Sequence, residues 1–189
     1  MSANFQQLAN FIWSVADLLR GPYRPPQYER VMLPLTVLRR FDAVLAHTKE
    51  TVLTKYAELD ARNKRLREEK KEPINVDPVL NNLAKDDKGH PLGFHNHSQL
   101  DFYRLKGDPD NIRHHLTDYI NGFSENIRKI FERFEFDKEI EKLEESNRLY
   151  QVISQFAEFD LHPKRVDNIT MGLVFEDLIR RFNEAANET

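Results

Sequence analysis

The chain has 189 residues, which suits one domain or one domain with a connecting element; 40 % are hydrophobic, including 13 Phe, and only six are Gly, a balance that favours a helical protein with a real core. Charged residues are 31 % and the net charge is −3, so there is no global electrostatic case for nucleic-acid binding and any DNA contact must come from a local basic patch. The absence of cysteine excludes a disulfide framework and Cys-based metal sites, no leader of basic plus apolar residues is visible, and no apolar run approaches the roughly 20 residues that span a bilayer; a cytoplasmic protein without a membrane partner is expected.

Phe5, Leu8, Ala9, Ile12, Val15, Ala16 and Leu19 recur at helical spacing, with Trp13 off the centre of the stripe and free to cover a second contact. Gly21-Pro22 ends that helix. The next begins near Pro25-Pro26 and is apolar on more than one side from Tyr28 to Leu45, the pattern of a centrally buried helix. Pro34 inside it predicts a kink or break near Leu33. Residues 48–72 read as a solvated helix stopped by Pro73, and residues 75–83 as one short helix. Residues 85–98, rich in Asp, Gly and His, read as a polar loop.

Residues 99–105 form a short docked element, and Asp108-Pro109 starts a helix that runs to about Gly122. Ser124 is placed to cap the following helix, whose stripe is Ile127, Ile130, Phe131 and Phe134. Residues 137–159 continue as helix with a break near Ser146. After Leu161-His-Pro163 a final amphipathic helix carries Met171, Val174, Phe175, Leu178, Ile179 and Phe182 on one side. No Gly or Pro closes it, so the chain is expected to be cut at a junction. The sum is an all-α fold with at least about 60 % helix, roughly twice the globular average. Residues 1–166 would form the domain, and residues 167–189 a connecting helix.

Three groups of cations are candidates for DNA or partner contact: Lys64, Arg65, Arg67, Lys70 and Lys71 on the charged helix, the pair Arg39-Arg40, and the pair Arg180-Arg181. Adjacent helical residues diverge by about 100°, so neither pair makes one tight clamp, and one member of each is expected to snorkel or pair with an acid. Glu68, Glu69 and Glu72 offset the basic run. His90, His95 and His97 have no placed acidic or Cys ligand, so they read as loop residues and no metal site is expected. His114-His115 reads as surface or cap, and Trp13 and the Phe residues as core rather than stacking platforms.

Five blocks carry a family resemblance. In order they are Phe11-Ile-Trp-Ser-Val-Ala-Asp-Leu-Leu-Arg-Gly21, Tyr28-Glu-Arg-Val-Met-Leu-Pro-Leu-Thr-Val-Leu-Arg-Arg-Phe-Asp42, Tyr119 to Phe136, Phe156-Ala-Glu-Phe-Asp-Leu-His-Pro163 and the terminal helix from Asn168. Together they resemble the helical N-terminal domain of the M (modification) subunit of type I restriction–modification systems. The resemblance implies a full subunit that transfers a methyl group from S-adenosylmethionine to the exocyclic amine of adenine in double-stranded DNA. It further implies a specificity subunit, a second M subunit and a restriction subunit as partners.

The family's Asn/Asp-Pro-Pro-aromatic motif and Gly-containing cofactor loop are absent: the only Pro-Pro pair lies between Arg24 and Gln27, and no two Gly form a G-x-G cluster. The chain itself is therefore expected to be inactive, with no catalytic or cofactor-binding residue, and to serve subunit docking and DNA enclosure. The alternative is a free-standing helical protein-interaction module without enzymatic activity.

Overall fold

The computed structural model describes residues 3–187. Ten α-helices follow one another among these residues: α1 (Ala3–Leu19), α2 (Glu29–Leu45), α3 (Lys49–Glu68), α4 (Asp77–Leu83), α5 (Phe102–Lys106), α6 (Ile112–Asn121), α7 (Glu125–Arg133), α8 (Phe136–Glu145), α9 (Leu149–Glu158) and α10 (Asn168–Asn187). Short 3-10 turns at Pro25–Gln27, Ala46–Thr48 and Pro109–Asn111 lead into α2, α3 and α6. Helix accounts for 72 % of the chain and there are no strands among the described residues, so the fold is all-α.

Helix α2 is the axis. Val31, Met32, Leu35 and Leu38 are sealed from solvent, and it packs against α8 and α9. The expected break at Pro34 is absent; α2 runs unbroken from Glu29 to Leu45. Pro34 removes the bond to the Arg30 carbonyl, one turn from the helix start, and its ring is itself buried. Packing offsets a defect worth about 3 kcal/mol in isolation.

Helix α5 lies along α9, α4 packs on α3, and α10 returns to cover α1 and the Pro25–Gln27 turn. Val174, Leu178 and Phe182 of α10 are buried there, and Trp13 and Tyr28 each meet the Phe182 ring edge-on at 5.2 Å. That is the second contact expected of Trp13.

Helix ends explain the remaining departures. Helix α3 stops at Glu68, before Pro73, because Lys70 takes a left-handed conformation (φ 56°) and the Lys71 N–H returns to the Leu66 carbonyl at 2.8 Å. Asn147 (φ 58°) does the same between α8 and α9, with Arg148 N–H on Leu143 O at 2.8 Å, which is the break expected near Ser146. Ser124 occupies the position before α7 without a side-chain cap; its hydroxyl instead donates to Asn126 at 2.7 Å and accepts the His95 N–H at 3.2 Å.

Candidate functional site

Asp42 and Arg39 sit one turn apart on α2 and draw four helices together. The Tyr119 hydroxyl of α6 donates to Asp42 Oδ1 at 2.6 Å, and Arg39 Nη1 donates to Oδ2 at 3.2 Å. The Phe102 N–H, at the start of α5, approaches Oδ2 at 3.4 Å. Arg39 Nε reaches the carbonyls of Phe156 at 2.9 Å and Phe159 at 3.1 Å, at the end of α9, where carbonyls lack helical partners. Burial pushes the Asp42 carboxyl above its ordinary range, while Tyr119, Arg39 and the Phe102 N–H pull it back. Burial likewise raises the Tyr119 phenol, reinforced by the Asp42 charge.

Beside this hub lies a cavity of about 520 Å³. Leu45, Val52, Phe102 and Tyr119 give it apolar walls, and Lys49, Asp101, Lys106 and Glu158 bring charge. Tyr103 also lines it while remaining 84 % exposed, which places its ring at the mouth. Lys49 Nζ donates to the Leu100 carbonyl at 2.7 Å and stands 5.9 Å from the Tyr119 ring centre. Burial draws the Lys49 pKa below the ordinary lysine value, opposed by Asp42 and Asp101. The arrangement sets charged groups beside an open cavity, and the Tyr119 hydroxyl is committed to Asp42 inside the core.

The nine cations expected at a contact surface do not converge. Arg39 belongs to the Asp42 hub. Arg40 is only 8 % exposed: Nη1 donates to Leu161 O at 3.0 Å and Val166 O at 2.7 Å, and Nη2 to the Asn168 side chain at 2.5 Å. It fastens the segment between α9 and α10. Arg180 and Arg181 are exposed and share Asp177, at 2.7 and 3.1 Å.

On α3, Lys64 pairs with Asp60 at 3.6 Å, and beyond the helix Lys71 pairs with Glu69 at 2.6 Å. Arg65, Arg67 and Lys70 are exposed, with no ion pair among the described residues. Arg65 and Arg67 point roughly 200° apart around the axis, so the run does not form one face. Asn63 anchors this end of α3, exchanging hydrogen bonds with the Ile74 backbone at 3.0 and 2.7 Å.

Two further groups differ from their expected setting. The loop of residues 85–98 is polar in composition, yet His95 is 0 % exposed. Its Nδ1 meets Asn81 Oδ1 at 2.8 Å, its Nε2 meets His97 Nδ1 at 3.0 Å, and the His97 ring stacks on Tyr56 at 4.0 Å. Among the described residues no group of three or more His, Asp or Glu side chains is arranged to hold a metal ion. On α10, Ile169 (76 % exposed) and Leu173 (53 %) face outward on the side away from α1.

The residues of this candidate site that sequence reasoning missed are Asp42, Tyr119 and Lys49. Each is an ordinary polar residue of a helix, and only the tertiary fold makes them meet. The three-residue spacing of Arg39 and Asp42 was the one local signal.

No curated protein and no solved structure matches the chain. A family profile described as the HsdM N-terminal domain matches residues 8–156, a span that runs from within α1 to within α9 and contains Arg39, Asp42, Phe102 and Tyr119. With most of its length matched, the chain belongs to the HsdM N-terminal domain family, the helical N-terminal domain of type I restriction–modification M subunits.

Proposed function

We propose that the full subunit bearing this domain transfers a methyl group from S-adenosylmethionine to adenine in DNA. In this reading the domain docks on the specificity subunit or the second M copy and helps enclose the duplex. The family match over residues 8–156 carries the reading. Residues 167–189 serve as the link to the catalytic domain, which the outward apolar side chains Ile169 and Leu173 of α10 support.

In this reading the cofactor is held outside this domain, because the chain has no Gly-rich turn of the kind that approaches such a cofactor. The cofactor and the transfer step belong to the remainder of the subunit. Partnership with a restriction subunit and a cytoplasmic location follow from the same reading. No helix among the described residues is long and apolar enough to cross a membrane.

Reconstitution of the full M subunit with its specificity subunit tests this. The expected result is a stable complex that moves a labelled methyl group onto target duplex. The double variant Ile169→Glu, Leu173→Glu should keep its melting temperature, because both side chains are exposed, and lose at least about ten-fold in methyl transfer. A full subunit that neither associates nor methylates would instead favour a free-standing interaction module.

A further inference from the structure

The charges around the Asp42 cavity leave one cation over. Arg39 pairs with Asp42 at 3.2 Å, Arg104 pairs with Asp101 at 3.1 Å, and Lys106 pairs with Glu158. Lys49 has no carboxylate at ion-pair distance among the described residues; the Leu100 carbonyl takes one of its N–H donors, and an ammonium has three. It is half-buried, and its lowered pKa shows that Asp42 and Asp101 do not make up for the water it has lost. A partly desolvated cation in a cavity gains from an anion brought in from outside.

The surroundings select the kind of anion. Asp42, Asp101 and Glu158 line the same cavity, so a polyanionic backbone would press several phosphates against three carboxylates. A single carboxylate meets Lys49 with far less repulsion. Tyr103 at the mouth is a large amphipathic ring of the kind enriched at protein interfaces, and it is 84 % exposed.

We propose that this cavity receives an Asp or Glu side chain of a partner protein, its carboxylate on Lys49 Nζ and its neighbouring residues covering the Tyr103 ring. The inference rests on the reading of the chain as part of a multisubunit complex and names the surface and the chemistry of one docking contact.

The test uses the full M subunit and its specificity subunit. Lys49→Met removes the cation, and Tyr103→Ala removes the ring without touching the core, so its fold is secure even if loss of the Leu100 bond destabilises the first variant. Each should weaken assembly at least about ten-fold. Acylation of Lys49, followed by mass spectrometry, should slow to a similar degree on assembly. Assembly constants within about two-fold of the unaltered protein, together with equal Lys49 labelling in free and assembled subunit, would overturn the cavity's role and leave the complex intact. Protection of Lys49 by duplex DNA alone would make the occupant a phosphate and overturn the proposal. Failure of the unaltered subunit to assemble would remove the complex reading and this contact with it.

Discussion

His95 shows how a single buried side chain sets a pH dependence. With the Asn81 oxygen at its Nδ1, neutral His95 donates from Nδ1, and its Nε2 lone pair accepts the Nδ1–H of His97. A second proton on His95 would put two N–H groups face to face unless His97 moved its own proton to Nε2, and it would place a charge on a ring that is fully buried. Burial, and secondarily His97, lowers its pKa to about 4, and burial lowers that of His97 as well. The unfolded chain binds these protons near the ordinary value of 6.5, whereas the folded His95 waits until about 4. Unfolding therefore takes up protons between those values, so stability falls as pH drops from about 6.5 to 4 and levels off below. The loss from His95 is on the order of 3 kcal/mol. Urea unfolding between pH 7.5 and 4.5 should show this slope, and His95→Gln should flatten it. An unchanged slope in that variant would refute the account. Asp86, Asp87 and Asp167, whose pKa values are lowered by hydrogen bonds to His90, Lys164 and Thr170 respectively, act at lower pH, whereas the raised Asp42 carboxyl binds its proton first in the folded state and opposes the His95 loss, which is why the His95 variant is the deciding comparison.

The loop that holds His95 is fixed by an element-level device at the α6–α7 junction. The His97 N–H donates to Gly122 O at 2.9 Å and the Ser124 N–H donates to His95 O at 3.0 Å. Asn96 Nδ2 caps the end of α6 on the Tyr119 carbonyl at 2.8 Å. The backbones approach so closely that a Cβ on Gly122 would lie 2.6 Å from Asn96 Oδ1 and 2.9 Å from the Ser98 backbone nitrogen. Gly122→Ala should therefore cost about 1–3 kcal/mol, the range for overpacking, measured by denaturant unfolding. A change under about 0.5 kcal/mol would mean that the loop moves aside freely. Helices α1 and α9 were legible because their apolar residues recur with a helical period and burial follows the same period, and α2 because it is apolar on more than one side, as a central helix is. The stop of α3 at Glu68 was not legible, because the left-handed residue that follows it is Lys70, with no glycine to announce it. The unbroken course through Pro34 was hidden for a related reason: propensity is local, and the packing that overrides it is not. The Asp42–Tyr119 bond joins residues 77 positions apart, so no pattern along the chain could reveal it.

At the scale of the whole molecule, electrostatics limits what this domain can do with DNA. The net charge of −3 offers no long-range attraction, and the free cations are spread. Arg40 is turned inward, and Arg39 is committed to Asp42 and the α9 carbonyls. Arg180 and Arg181 are held by Asp177. The end of α3 remains, with Arg65, Arg67 and Lys70 exposed. Val52, Leu59 and Asn63 define its inward side, so Lys64 and Arg65 straddle the outer crest and Arg67 leans onto one flank. A duplex resting on the crest meets two or three of these cations, which gives a slope of about −2 to −3 in log K against log salt. Binding by the chain should thus be weak, salt-sensitive and indifferent to sequence, as fluorescence anisotropy with paired duplexes can measure. Arg65→Ala should reduce the slope by about one, while Arg67→Ala changes it little, because the two side chains cannot face the same strand. Equal effects of the two substitutions would show that the duplex lies across the flank. Tight binding that separates one short sequence from another at moderate salt would place target recognition in this domain, against a charge distribution that presents no element built to enter a groove.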